Sequence, residues 1–182
     1  MPDSDLHGLH SRETTHECEA AAVAQSKGFI MSDYNDVLNV VHKYFASADA
    51  RDWETYRSLH ADTVEVNFGG VNDDAAGPVA ADDMLRSARD LVGPVHLTQH
   101  MISNEVVTID GDRAKVTFYE QALHHHPALS DDPAVNTWIL YARGEHDLKR
   151  TGNGWKLAGA RLQPVHHTGN ANLLQDVAAS AS

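Results

Sequence analysis

From His96 to His166 the chain reads as four long strands in succession, and this run limits the fold more than any other feature. The segments are His96 to Ile109, Arg113 to His125, Asn136 to Lys149 and Trp155 to His166. Between them lie Asp110-Gly111, a loop holding Pro127 and Pro133, and Thr151-Gly152-Asn153-Gly154. Connections this short join antiparallel neighbours, because a parallel return needs a crossover of a dozen residues or more. The second half of the chain is therefore expected to be an antiparallel meander.

The half before it carries a different period. Tyr34, Val37, Leu38, Val41, Tyr44, Phe45 and Ala48 recur at three and four, which predicts a helix of about four turns with one buried stripe, started by Ser32 and Asp33. Asp52 can cap a second, shorter helix bearing Trp53, Tyr56 and Leu59. Val64, Val66 and Phe68 then alternate with Glu65 and Asn67 as in a half-buried strand, which Gly69 and Gly70 end. A loop over Val71 to Pro78 leads to a third helix on Met84, Leu85, Ala88, Leu91 and Val92, stopped by Gly93 and Pro94. Trp53 and Trp155 are expected in the core. Helices gathered in front of long antiparallel strands predict an α+β fold, with a curved sheet wrapped around the first helix.

The 182 residues make room for one domain and its tails. Residues 1–30 lack a lasting apolar period and are expected to be a disordered tail or a misassigned start, with the domain over 31–170 and a C-terminal tail over 171–182. The formal net charge of −12 repels phosphate backbones and anionic membranes, so a neutral or apolar small molecule is the expected partner. Cys18 is the single cysteine, so neither an internal disulfide nor a cysteine-based zinc site is expected. The apolar run Ala20 to Ala24 is too short for a secretion signal, and a cytoplasmic location is expected.

Two polar residues fall on otherwise largely apolar faces. Asp49 falls four positions after Phe45, on the apolar stripe and at the end of the helix where the dipole disfavours an acid, so it needs a partner or water. His100 shares a strand face with Thr98, Ile102, Asn104 and Val106, a mixed wall suited to a cavity, although a structural histidine would fit the same pattern. His146 falls on the small side of its strand with Ala142 and Gly144, opposite the charged side of Arg143, Glu145 and Asp147. His124, His125 and His126 precede Pro127 and the acids Asp131 and Asp132, which marks a solvated loop rather than a metal site. Neither these nor His166 and His167 are expected to hold a metal.

Three stretches carry a family resemblance. They are VHKYFASADARDWETYRSLHADTVEV, HLTQHMISNEVVTIDGDRAKV and RGEHDLKRTGNGWKLAGARL, and with the element order they resemble the SnoaL-like branch of the nuclear-transport-factor-2-like, cone-shaped α+β superfamily over about residues 31–170. In the family's dehydratase and dehydrochlorinase members an aspartate ending the first helix pairs with a strand histidine that acts as base. The resemblance puts these roles on Asp49 and His100. It makes Tyr44 and Tyr119 candidates for polarising a substrate, and their inward strand faces make Asn104 and His146 further candidate substrate contacts. The function implied is a cofactor-independent lyase or isomerase on a small apolar or aromatic, possible polyketide-like molecule. The alternatives are a non-catalytic binding or assembly subunit, like the small subunit of ring-hydroxylating dioxygenases, and a polyketide cyclase. A homodimer or homotrimer is expected, because a wide curved sheet leaves an apolar outer face to cover.

Overall fold

The computed structural model describes residues 32–69 and 76–180, so the expectation for residues 1–30 lies outside the described residues. The first helix, α1, spans residues 32–50, and from Asp36 onward it belongs with the rest of the chain to one compact unit. There follow α2 (Trp53–Ser58), β1 (His60–Asn67), β2 (Ala76–Ala80), α3 (Ala81–Leu91), β3 (Leu97–Asp110), β4 (Arg113–His125), α4 (Pro133–Asn136), β5 (Thr137–Thr151), β6 (Gly154–Gly169) and α5 (Leu173–Ser180). The strands form one sheet in the order β2-β1-β6-β5-β4-β3. The meander β3 to β6 is antiparallel throughout, as the short turns require, and β1 lies parallel to β6, which makes the sheet mixed. The sheet stays open, with β2 and β3 at its edges.

Strands of 13 to 16 residues cannot remain flat around a helix. Register shifts at Ser103/Val106, Tyr141/Ala142 and Asp147/Leu148 are β-bulges, each of which adds bend and twist to its strand. The resulting concave face receives α1. Val37, Val41 and Phe45 pack there on Val116, Phe118, Leu148 and Trp155. A second cluster joins Val64 and Val66 of β1 to Met84 of α3 and Leu157 of β6, and a third gathers Val95, Ala122, Trp138 and Leu140.

Three expectations need correction. A strand, β2, begins inside the segment read as a loop. Pro78 hid it, but at the sheet edge a proline sacrifices no ladder hydrogen bond that a further strand would use. The segment after residue 170, read as a tail, contains α5, whose Leu173 and Val177 are wholly buried against the Trp138 cluster. Two apolar residues four apart are enough to dock one helical turn, yet too few to stand out as a period. Trp155 is in the core, but Trp53 is only half-buried and lies edge-on to Tyr56. Among the described residues, no helix is long and apolar enough to cross a membrane.

Candidate active site

The end of α1 is held by an arginine rather than a glycine. Arg51 adopts the left-handed conformation (φ 58°) that reverses the chain after the helix, a conformation costing about 1 kcal/mol or more for a residue with a side chain. Its guanidinium offsets that cost. One nitrogen donates to the carbonyls of Ala48 and Asp49 (2.9 and 3.1 Å) and to the Thr98 hydroxyl (2.7 Å), and the other donates to the Val95 carbonyl (2.8 Å). The fork thus ties the carboxyl end of α1 to the entry of β3, and this sets Asp49 opposite His100.

Asp49 and His100 meet at two points. The backbone N–H of His100 donates to Asp49 Oδ2 at 2.8 Å, and His100 Nδ1 lies 2.7 Å from Asp49 Oδ1. Burial pushes the Asp49 carboxyl up, but the hydrogen bond and charge of His100, its backbone N–H and the Thr98 hydroxyl together bring it below the ordinary aspartate value. An ionised carboxylate only accepts hydrogen bonds, so Nδ1 carries the proton and donates it. That leaves Nε2 as the basic nitrogen, on a ring that lines a cavity.

The cavity has a volume of about 260 Å³ and mostly apolar walls. It is lined by Phe45, Ala48, Val66, Met84, Phe118, Ala122, Trp138 and Leu140, with Tyr44, Tyr56, His100, Glu120, His124 and His146 among its polar groups. A cavity of about 150 Å³ already holds benzene, so this one suits a substituted ring. Tyr44 is part of its wall: the Tyr56 hydroxyl donates to the Tyr44 hydroxyl at 3.4 Å, and the Tyr44 ring lies edge-on to His146 with centroids 5.0 Å apart. Burial raises both phenols, so each remains a proton donor near neutrality. Burial also lowers His146 to about 3 and His124 to about 4, which keeps both imidazoles neutral. Each has a buried Nδ1 without a hydrogen-bond partner among the described residues.

Of the six residues singled out by sequence, the fold brings four together: Asp49 and His100 in direct contact, Tyr44 and His146 in the same cavity. The other two belong elsewhere. Asn104 stands at the bulge in β3 with φ 57°, and beyond that bulge the alternation changes face, so Asn104 and Val106 point away from the cavity. Tyr119 is 52% exposed and lines a depression on the outer face of the sheet beside Arg143. Its strand buries the even positions Ala114, Val116, Phe118, Glu120, Ala122 and His124, so alternation read from the apolar members would have replaced Tyr119 with Glu120. His124 is corrected in the same way. It is no loop residue but the buried last inward position of β4, stacked on Trp138 with centroids 4.8 Å apart. Tyr56 and Arg51 carried no sign of a part in the site, since Tyr56 meets Tyr44 of a different helix and Arg51 meets Val95 and Thr98 more than forty residues on.

Comparison with known proteins agrees with this architecture. The SnoaL-like domain family matches residues 30–161. Scytalone dehydratase from Pyricularia oryzae is 25% identical over 148 residues, which cover 76% of this chain and 84% of that protein. Among solved structures, the Kfla4162 protein from Kribbella flavida superposes with a TM-score of 0.72 at 27% identity, over 80% of this chain and 99% of that one. Hexachlorocyclohexane dehydrochlorinase LinA-type3 from Novosphingobium barchaimii gives 0.64 at 15% identity, over 78% and 92% of the two chains, a likeness of fold.

Proposed function

This chain belongs to the SnoaL-like domain family, and on that premise we propose that it is a lyase that removes a carbon-bound proton and a β-leaving group from a small, largely apolar ring compound. The observation carrying the reading is the two-point hydrogen bond between Asp49 and His100 at the wall of an apolar cavity. A carboxylate on Nδ1 fixes the tautomer and stabilises the imidazolium that forms when Nε2 accepts a proton. The loss of the proton puts negative charge on a neighbouring carbonyl oxygen of the substrate. Tyr44, protonated, in the cavity and itself accepting a hydrogen bond from the Tyr56 hydroxyl, is the donor available to that oxygen. The names of two relatives support the reaction class, one a dehydratase and the other a dehydrochlorinase. No cofactor is required by such a reaction, because base, charge stabiliser and oxyanion donor are all side chains.

The test is turnover of a panel of hydroxylated and halogenated ring ketones by the wild type, His100→Ala and Asp49→Asn. Removing the base is expected to cost about 10²- to 10⁴-fold in kcat. Losing the orienting charge should cost about 10-fold or more with little change in KM. Wild-type turnover in both variants would end this reading.

A further inference from the structure

The Asp49–His100 pair takes a proton but offers none to a departing group. A halide leaves carbon as a stable anion, whereas a hydroxyl needs a proton as its bond breaks. The cavity holds one further carboxyl. Glu120, on β4 and opposite Ile102 of β3, is only 7% exposed, lines the same cavity as His100, and makes no hydrogen bond or ion pair among the described residues. A buried carboxyl with a purely structural part is normally held by donors, since an unpartnered charge there is costly.

We propose that Glu120 is the general acid of this cavity and that its substrate therefore loses an oxygen leaving group, as water from a β-hydroxy carbonyl compound. The proposal rests on the reading of His100 as base. The two carboxyls are driven apart by their surroundings. Burial pushes Glu120 up, the charge of His100 draws it down, and the charge of Asp49 pushes it up again, for a net rise, while Asp49 is held low. Such a split assigns acid and base within one site. The titratable groups lining the cavity with Glu120 are Tyr44 on α1, Tyr56 on α2, His100 on β3, His124 on its own strand, His146 on β5 and Arg161 on β6, and Asp49 of α1 acts on it by charge. The guanidinium of Arg161 is already engaged by Glu145 and Asp147. Burial keeps His124 and His146 uncharged, so neither holds Glu120 ionised.

The step balances. His100 Nε2 takes the α-proton and the C–H electron pair passes onto the carbonyl oxygen as an enolate; the carbonyl then re-forms, that pair becomes the new C=C bond, and the C–O bond breaks with its electrons on the departing oxygen. Glu120 delivers its proton to that oxygen and water departs. Imidazolium and carboxylate remain, and passage of one proton from the first to the second restores the site.

The experiment has two readouts. With 3-hydroxycyclohexanone in deuterated buffer, nuclear magnetic resonance follows exchange at the α-carbon while absorbance follows formation of the enone. Glu120→Gln should retain the exchange and lose elimination by about 10²-fold or more, whereas His100→Ala should lose both. Infrared spectroscopy of the protein alone should show a protonated carboxyl band that persists above the ordinary glutamate range and disappears in Glu120→Gln. Labelling the wild type with isotopic glutamate supports the assignment should that variant fail to fold. Elimination at the wild-type rate in Glu120→Gln, or an ionised Glu120 in weakly acidic buffer, would overturn the proposal. If the probe is not turned over, the infrared band decides. Exchange that survives in His100→Ala would instead overturn the base while leaving the infrared result for Glu120 intact.

Discussion

An acid that ends a helix ought to be weakened by the dipole, yet Asp49 is held below its ordinary value, because its contacts with His100 and Thr98 outweigh both burial and the helix end. The sign of its effect on stability follows. The folded value lies below the unfolded one of about 3.9, so the stability Asp49 contributes is complete above that pH and is lost as pH falls through the lower folded value. In urea unfolding, the difference between wild type and Asp49→Asn should stay constant near neutrality and shrink only in strong acid. A difference that persists undiminished in strong acid would contradict the lowered Asp49 value. Position, more than identity, was legible here. The helical stripe placed Asp49 and the strand period placed His100, but no local pattern states that residues 51 apart will touch. Glu120 escaped notice because a lone acid among apolar neighbours looks like a surface residue until the inward face of its strand is known.

Elements decide what a residue faces, and bulges and glycines decide it for the strands. Gly144 of β5 lies opposite Phe118 of β4, and a Cβ added there would overlap the Phe118 ring. That ring packs edge-on against Phe45 and His146 with centroids 5.5 and 5.0 Å away, so it cannot move without disturbing the cavity wall. Gly144→Ala is expected to destabilise the fold by about 1–3 kcal/mol in denaturant unfolding and to weaken binding of ring ligands, with the site residues themselves unchanged. At the β3 bulge Asn104 holds φ 57°, which asparagine tolerates and β-branched residues do not. Asn104→Gly should leave thermal stability near the wild type, while Asn104→Val should cost about 1–2 kcal/mol. Equal melting temperatures in the two variants would show that the bulge carries no such strain. The bulge also explains why a reading by alternation holds for His100 and fails four residues later: one inserted residue moves the remaining strand to the opposite face.

At the scale of the molecule, the buried imidazoles set the response to acid. Burial lowers His60 and His124 to about 4 and His146 to about 3, all below the unfolded value of about 6.5. For a histidine with a depressed folded value, the unfolded chain takes up protons first, so stability is complete above about pH 6.5 and declines as pH falls from there towards the folded values. Near pH 5 the unfolded state holds almost three protons more than the folded state from these groups, which gives a slope of roughly 3–4 kcal/mol per pH unit. Denaturant unfolding across this range, or proton uptake on unfolding, measures it; a flat profile would mean that these rings are hydrated or paired. The α+β class, the order of most helices and strands and the meander followed from the sequence alone, because helical period, strand alternation and turn chemistry are local, whereas the choice of Asp49 and His100 as partners came from the family resemblance. The edge strand β2, the docking of α5, the change of face at Asn104, the Arg51 fork and the presence of Glu120 and His124 in one cavity came only with the tertiary structure. Each of these depends on what lies across the sheet, and a chain states its own periods but not which distant face will close over them.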